Sequence, residues 1–173
     1  MSFRIEMKGL DATVKKVESL AANLKRDIQD ELNAFAIEVS STAKRLAPAD
    51  EGHLRGAINP VFSNNLEASI VVTVVYAAFM EFGTRKFAAQ YVATLPADWQ
   101  RYAATFKGRG SGDFDQFLKA IMAWVKRKGI DDAAAYPIAM KILREGVRPR
   151  PYLYPAIQQH LPELKARLKA IIK

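Results

Sequence analysis

Apolar residues recur every three or four positions along the first third of the chain: Val14, Val17, Leu20, Leu24, Ile28, Leu32, Phe35, Val39, Ala43 and Leu46. That spacing is the stripe of one long amphipathic helix. Asp11 can cap its start, because a carboxylate there accepts an amide of the first turn that has no helical partner. Pro48 ends it, since the residue before a proline avoids helical angles. A helix of roughly 35 residues is about 50 Å long. Such a rod either breaks, with 21–23 the natural place, or projects and packs on something besides its own sheet. The spacing drifts from strict heptads and the chain soon turns to strands, which favours a helix lying across a sheet over a coiled coil.

The flanks of this stripe have the shorter period of strands. Phe3, Ile5 and Met7 alternate with Arg4, Glu6 and Lys8, and Gly9 ends the run. After the helix, Asp50, Glu51 and Gly52 make a turn that can cap a short segment through Leu54 and Arg55. Residues 57–62 read as a strand in which Pro60 needs an edge or a bulge. Ser63, Asn64 and Asn65 read as a hairpin turn, asparagine being tolerant of left-handed angles. The valine- and isoleucine-rich run 66–75 is the best strand, with Ala68, Ile70, Val72 and Val74 inward and Glu67, Ser69, Val71 and Thr73 outward. Its outer face is only partly polar, which leaves it open to cover by a neighbouring subunit. Tyr76–Phe82 reads as a short helix that Gly83 closes in a left-handed conformation.

From Lys86 to Gly146 the pattern is helical throughout. Pro96 suits a helix start, followed by Trp99, Tyr102 and Phe106 on one face. The run Lys107–Asp113 is glycine-rich and loop-like. Phe114, Leu118, Ile121, Met122 and Val125 mark the next helix, which ends at Gly129 after Lys126, Arg127 and Lys128. Asp131 or Asp132 opens another helix, in which Pro137 forces a kink or a later start. Arg148–Pro155 (RPRPYLYP) is then an extended strap able to pair with a sheet edge or cross an interface. A final helix carries Ile157, Leu161, Leu164, Leu168 and Ile171, bent near Pro162. The fold class that follows is α+β: a small antiparallel sheet packed by a long N-terminal helix and a C-terminal helix. The expected organisation is a single domain over 1–173 with a helical insertion at 86–146.

Few kinds of chemistry survive a search of the residues. There is no cysteine, so disulfides and thiolate metal sites are excluded. The two histidines, His53 and His160, stand too far apart in sequence to suggest a metal site. No run of apolar residues approaches the length of a membrane span, and the N-terminus lacks a secretory pattern, so a soluble chain is expected. A hydrolase could draw only on Asp50, His53 and Glu81, without a nucleophile placed beside them. The glycines of Lys107–Gly112 lack the lysine-serine or lysine-threonine ending of a phosphate loop and follow no strand. The sequence therefore assigns no catalytic, cofactor or metal residue. The net charge of +8, from 26 basic and 18 acidic residues, permits a polyanionic partner. One reading that uses it is DNA binding through the helical hairpin 114–145, although Pro137 and the few basic residues beyond Lys141 and Arg144 speak against a groove-reading helix.

Three motifs in a fixed order carry a further reading: APADEGHLR at 47–55, YAAFMEFGT at 76–84 and RPRPYLYPA at 148–156. Together they resemble the tail-completion, or head–tail joining (neck), proteins of long-tailed double-stranded DNA phages. Ala47, Pro48, Asp50, Gly52, Leu54 and Arg55 match the first family motif. Tyr76, Ala77, Glu81, Phe82, Gly83 and Thr84 match the second, and Arg148, Pro149, Arg150, Pro151, Tyr152, Pro155 and Ala156 match the third. Glu51 departs from the usual threonine, which removes a hydroxyl cap at that turn. The span from Gly83 to Arg148 is longer than in compact members, although AWVKRKGI and AMKILREG resemble pieces of longer ones. The resemblance implies an α+β subunit of a ring, six copies being expected, set between the head connector and the tail tube, with genome DNA passing through its lumen. Its implied partners are further copies of itself, the head-completion or connector protein, and the tail tube or tail terminator. Its implied locations are the virion and, during assembly, the host cytoplasm. No reaction and no cofactor is implied. The residues expected at the assembly interface are Asp50, Gly52, Leu54, Arg55, Tyr76, Glu81, Phe82, Gly83, Thr84, Arg148, Arg150, Pro151 and Tyr152.

Overall fold

A computed structural model describes residues 10–74, 76–106 and 113–172, the side chains of 10–14 apart. The strand expected at Phe3–Met7 and the glycine-rich run Lys107–Gly112 lie outside the described residues. Contacts divide the chain into two compact units: one runs up to Val72 and resumes at Leu153, and the other spans Thr73–Tyr152.

The first unit is built on the helix that the apolar stripe predicts. Helix α1 runs unbroken over Leu10–Leu46, a rod of 37 residues and about 56 Å. Asp11, expected as its cap, falls within it. Residues 15–27 are exposed on every side, and burial begins only at Ile28 and Gln29. Of the two outcomes the length allowed, the helix projects and does not break. Its second half buries Ala36, Val39, Ala43 and the following Ala47. These residues are mostly small, so the backbone of a neighbouring helix can approach closely. That neighbour is α8, Leu153–Ile171. The final helix therefore starts before Pro155, and Leu153–Pro155 belong to it, not to the extended strap. Proline is tolerated in a first turn, where its missing donor had no helical partner. Pro162 sits inside α8 on its exposed side.

Ion pairs tie α8 to α1. Arg167 donates to both carboxylate oxygens of Glu38, at 3.0 and 2.8 Å. Its Nε lies 3.0 Å from a Glu31 oxygen, near enough for an ion pair but off the line of a hydrogen bond. The Glu38 carboxyl is held below the ordinary range by these Arg167 hydrogen bonds.

After α1, the short helix α2 (His53–Ala57) leads into β1 (Ile58–Phe62), which pairs antiparallel with β2 (Ala68–Val72). The register sets Ile58 opposite Val72 and Phe62 opposite Ala68. Ala68, Ile70, Val72 and Val74 are half-buried and Ser69, Val71 and Thr73 exposed, as the alternation predicts. Among the described residues the sheet has these two strands alone, so every strand has an outer edge and Pro60 finds a place without a donor. The left-handed residue of the hairpin is Leu66, at φ 57°, and not an asparagine. The amide of Asn65 is instead spent on the Ser63 hydroxyl at 3.2 Å. Gln29 of α1 donates to the Glu67 carbonyl at 3.0 Å, which anchors the turn to the helix.

The second unit is helical: α3 (Ala77–Phe82), α4 (Arg85–Val92), α5 (Ala97–Thr105), α6 (Phe114–Arg127), a 3₁₀ turn (Asp132–Ala134) and α7 (Ala135–Glu145). Pro96 precedes α5, and Asp113 caps α6 by accepting the Asp115 amide at 2.9 Å. Gly129 closes the α6–α7 connection at φ 66°. Asp131 accepts the Ala133 amide, so the next helical segment starts early and Pro137 lies in the first turn of α7. No amide is needed there, which is why the proline neither kinks nor delays the helix.

Candidate functional site

The second and third motifs, separated by more than sixty residues, close on one another in the second unit. The reason lies in what each leaves unsatisfied. Helix α3 is short, so its last carbonyls lack helical partners. In the strap 146–152, Pro149 and Pro151 remove alternate donors and hold the chain extended. The amides that remain are used on α3 and the residues after it. Arg150 donates to the Met80 carbonyl at 2.7 Å. Tyr152 donates to a Glu81 carboxylate oxygen at 2.8 Å. Thr84 and Val147 exchange two bonds: the Thr84 amide to the Val147 carbonyl at 2.9 Å, and the Val147 amide to the Thr84 hydroxyl at 2.7 Å.

Two glycines let the segments approach this closely. Gly83 has φ 76° and ψ −169°, a region open to glycine alone and not the left-handed cap the sequence suggested. A Cβ there would stand 2.8 Å from the Val147 carbonyl and 2.9 Å from the Pro149 ring. Gly146, at φ 92°, would drive its Cβ into the Thr84 carbonyl. Arg85 follows with the unusual φ of 53°. The corner 83–85 is therefore shaped by the strap it holds.

Glu81 and Phe82 are buried at this junction, and so is Tyr152. Burial holds the Tyr152 phenol well above the ordinary tyrosine range, and the charge of Glu81 adds to it. Of the three aromatic residues at helical spacing here, Phe82 is inside, whereas Tyr76 and Phe79 are exposed. Phe82 meets the face of α5 that the sequence marked, with ring centroids 6.1 Å from Trp99, 6.1 Å from Tyr102 and 5.9 Å from Phe106. Arg148 lies over the Phe87 ring at 5.3 Å. Beside it opens a groove of about 350 Å³, floored by Phe87, Ile138, Ile142 and Val147, with Lys141 and Arg148 among its lining residues. The sequence marked neither Phe87 nor Val147.

The first motif belongs to the other unit. Gly52 takes the left-handed conformation at φ 81° before α2, and Leu54 is buried. Arg55 donates its Nε to the Ala47 carbonyl at 3.0 Å, so the motif closes on itself. Asp50 is exposed, and exposed His53 stands 3.2 Å from Glu51. Of the expected assembly residues, Tyr76, Arg148 and Arg150 are exposed and Thr84 and Pro151 half-buried.

One group the sequence passed over could hold a metal ion: Glu38, His160 and Glu163 bring ligand atoms within 4.8 Å of one another. A cation there would compete with Arg167 for Glu38. His160 also has its Nε2 at 2.8 Å from the Thr42 hydroxyl. No helix among the described residues is long and apolar enough to cross a membrane.

Residues 11–83 match the family model described as "Bacteriophage HK97-gp10, putative tail-component". The match is consistent with the phage tail and neck resemblance that the three motifs carry. It takes in the first motif and the second as far as Gly83, so Thr84, the helices after it and the strap lie outside the matched segment. No curated protein and no solved structure matches the chain.

Proposed function

We propose that this chain is a structural virion protein of the phage neck, a ring subunit that joins the head connector to the tail tube and continues the DNA conduit. The observation that carries the reading is the match of residues 11–83 to a family of phage tail components. The junction of 76–84 with 146–152 supports it, because those are two of the motifs on which the resemblance rests. In this reading the ring has six copies and meets the head-completion protein on one side and the tail tube or terminator on the other. Residues 86–146 are an insertion into a single α+β domain. The interface draws on the exposed members of the motifs, Asp50, Arg55, Tyr76, Arg148 and Arg150, while the buried Glu81, Phe82, Gly83 and Tyr152 hold the last three in place. The net charge of +8 suits non-specific contact with passing DNA. The role is mechanical.

The test is to delete the gene from the phage and to image particles in which the chain carries a density label. The expected result is full heads and separate tails in its absence, and label at the head–tail junction in its presence. Joined, infectious particles without the chain, or label spread along the tail tube, would overturn the proposal.

A further inference from the structure

Among the described residues, two helices each present an exposed apolar trio. On α1 the stripe continues through Val17, Leu20 and Leu24, which are 60%, 59% and 38% exposed. On α7, Tyr136, Met140 and Leu143 are 56%, 43% and 38% exposed. Helix α7 also buries Ala135 and Ala139 and half-buries Ile138 and Ile142. It is thus apolar over more than half of its circumference, with Lys141, Arg144 and Glu145 on the remaining side, a wider apolar arc than one buried face requires.

We propose that the projecting half of α1 in one copy of the chain packs antiparallel on the outward face of α7 in the next copy. Spacing and charge both point to this occupant. The first and last residues of each apolar trio are seven positions apart, about 10.5 Å along the helix. The steps are three then four on α1 and four then three on α7. Run antiparallel, the trios fall in step: Val17 against Leu143, Leu20 against Met140 and Leu24 against Tyr136. Run parallel, the middle residues miss one another. In the antiparallel register Glu18 comes onto the same flank as Arg144, and Arg26 onto the flank of Asp132. Arg144 and Asp132 hold exposed pairs that an incoming charge can replace, at 3.2 Å to Glu145 and 3.7 Å to Lys126. Arg26 likewise holds an exposed pair with the adjacent Asp27 at 3.7 Å. The contact joins different patches on the two copies, so repetition of it generates a ring or a filament.

This inference shares with the neck reading only the need for more than one copy, and its test is separate. The chain has no cysteine, so single cysteines report cleanly. Purified, concentrated Leu20→Cys and Met140→Cys chains are mixed, one with a mass tag, and oxidised. The expected product is the mixed disulfide dimer, in at least tenfold excess over either self-dimer. Glu18→Arg in the first chain lowers its yield several-fold, and Arg144→Glu in the second restores it. Dominant Leu20→Cys self-dimers would overturn the inference, as would the absence of a mixed dimer. So would an internal disulfide at monomer mass in the doubly substituted chain, which would place the two faces together within one copy. Location in the particle is read by the labelling experiment above, so a mixed dimer from a chain absent from the junction would sink the neck reading and leave this contact standing.

Discussion

Replacing Gly83 by alanine tests whether the two motifs hold one another as described. The glycine sits at φ 76° and ψ −169°, where a side chain costs about 1–3 kcal/mol in backbone strain. Its new Cβ would also stand 2.8 Å from the Val147 carbonyl and 2.9 Å from the Pro149 ring. Neither atom can rotate away, one being backbone and the other locked in a ring. The strap would have to retreat, at the expense of the Thr84–Val147 bonds of 2.9 and 2.7 Å. Leaving one such group unsatisfied adds about 1–3 kcal/mol. The two contributions together come to about 4 kcal/mol, which at a typical urea slope moves the unfolding midpoint by about 2 M. Trp99, whose ring lies 6.1 Å from that of Phe82, reports the transition by fluorescence. The control is Gly129→Ala in the same unit. Gly129 has φ 66° but no atom within 4 Å of a built Cβ, so it carries only the left-handed strain, about 1–2 kcal/mol. Equal shifts for the two variants would refute the close approach as a source of stability.

Three further outcomes follow from the same geometry. Thr84→Val leaves the Val147 amide without its 2.7 Å acceptor and is expected to cost about 1–3 kcal/mol in urea unfolding, while Thr84→Ser keeps the hydroxyl and most of the stability. Phe82→Ala empties the centre of the aromatic cluster, with an expected loss of about 3–5 kcal/mol, whereas alanine at exposed Tyr76 changes the melting temperature little. Glu38, held below the ordinary carboxylate range by Arg167, contributes stability that is fully present above the unfolded glutamate value of about 4.3. That contribution is lost as pH falls through the lowered folded value. Melting curves of Glu38→Gln should therefore lose less stability than those of the parent between about pH 5 and pH 3, and parallel curves would count against the pair.

Much of the fold was legible because its signals are local. The spacing of Val17 to Leu46 dictates a helix whatever surrounds it, and Pro48 dictates its end. The alternation around Ile70 orients β2, and Asp113, Asp131 and Gly129 mark the boundaries of the helices they flank. The three motifs resemble those of phage neck proteins, and the tail-component family model matches the segment that holds the first of them and most of the second. Local rules also misled where a tertiary partner shaped the backbone. Gly83 looked like an ordinary left-handed helix cap, yet its conformation is one that brings the Val147 carbonyl against it. Leu66 takes the turn conformation expected of an asparagine, and nothing in its own chemistry announces this.

Periodicity, termination and the inventory of spare groups are thus properties of the local chain: α3 is too short to use its own carbonyls, and the prolines of the strap leave only alternate amides to bond. Tertiary structure alone decided which spare groups meet. The pairing of Arg150 with Met80 and of Tyr152 with Glu81 spans about seventy residues, and no short-range pattern encodes a partner that distant. The same holds for the exposed half of α1. Its stripe is identical in kind before and after Ile28, and only the packing of α8 and the hairpin on the second half shows that, among the described residues of its unit, the first half stays exposed. The hydrophobic effect asks that an apolar face be covered without naming what covers it, so the sequence specified the face and the fold left it open.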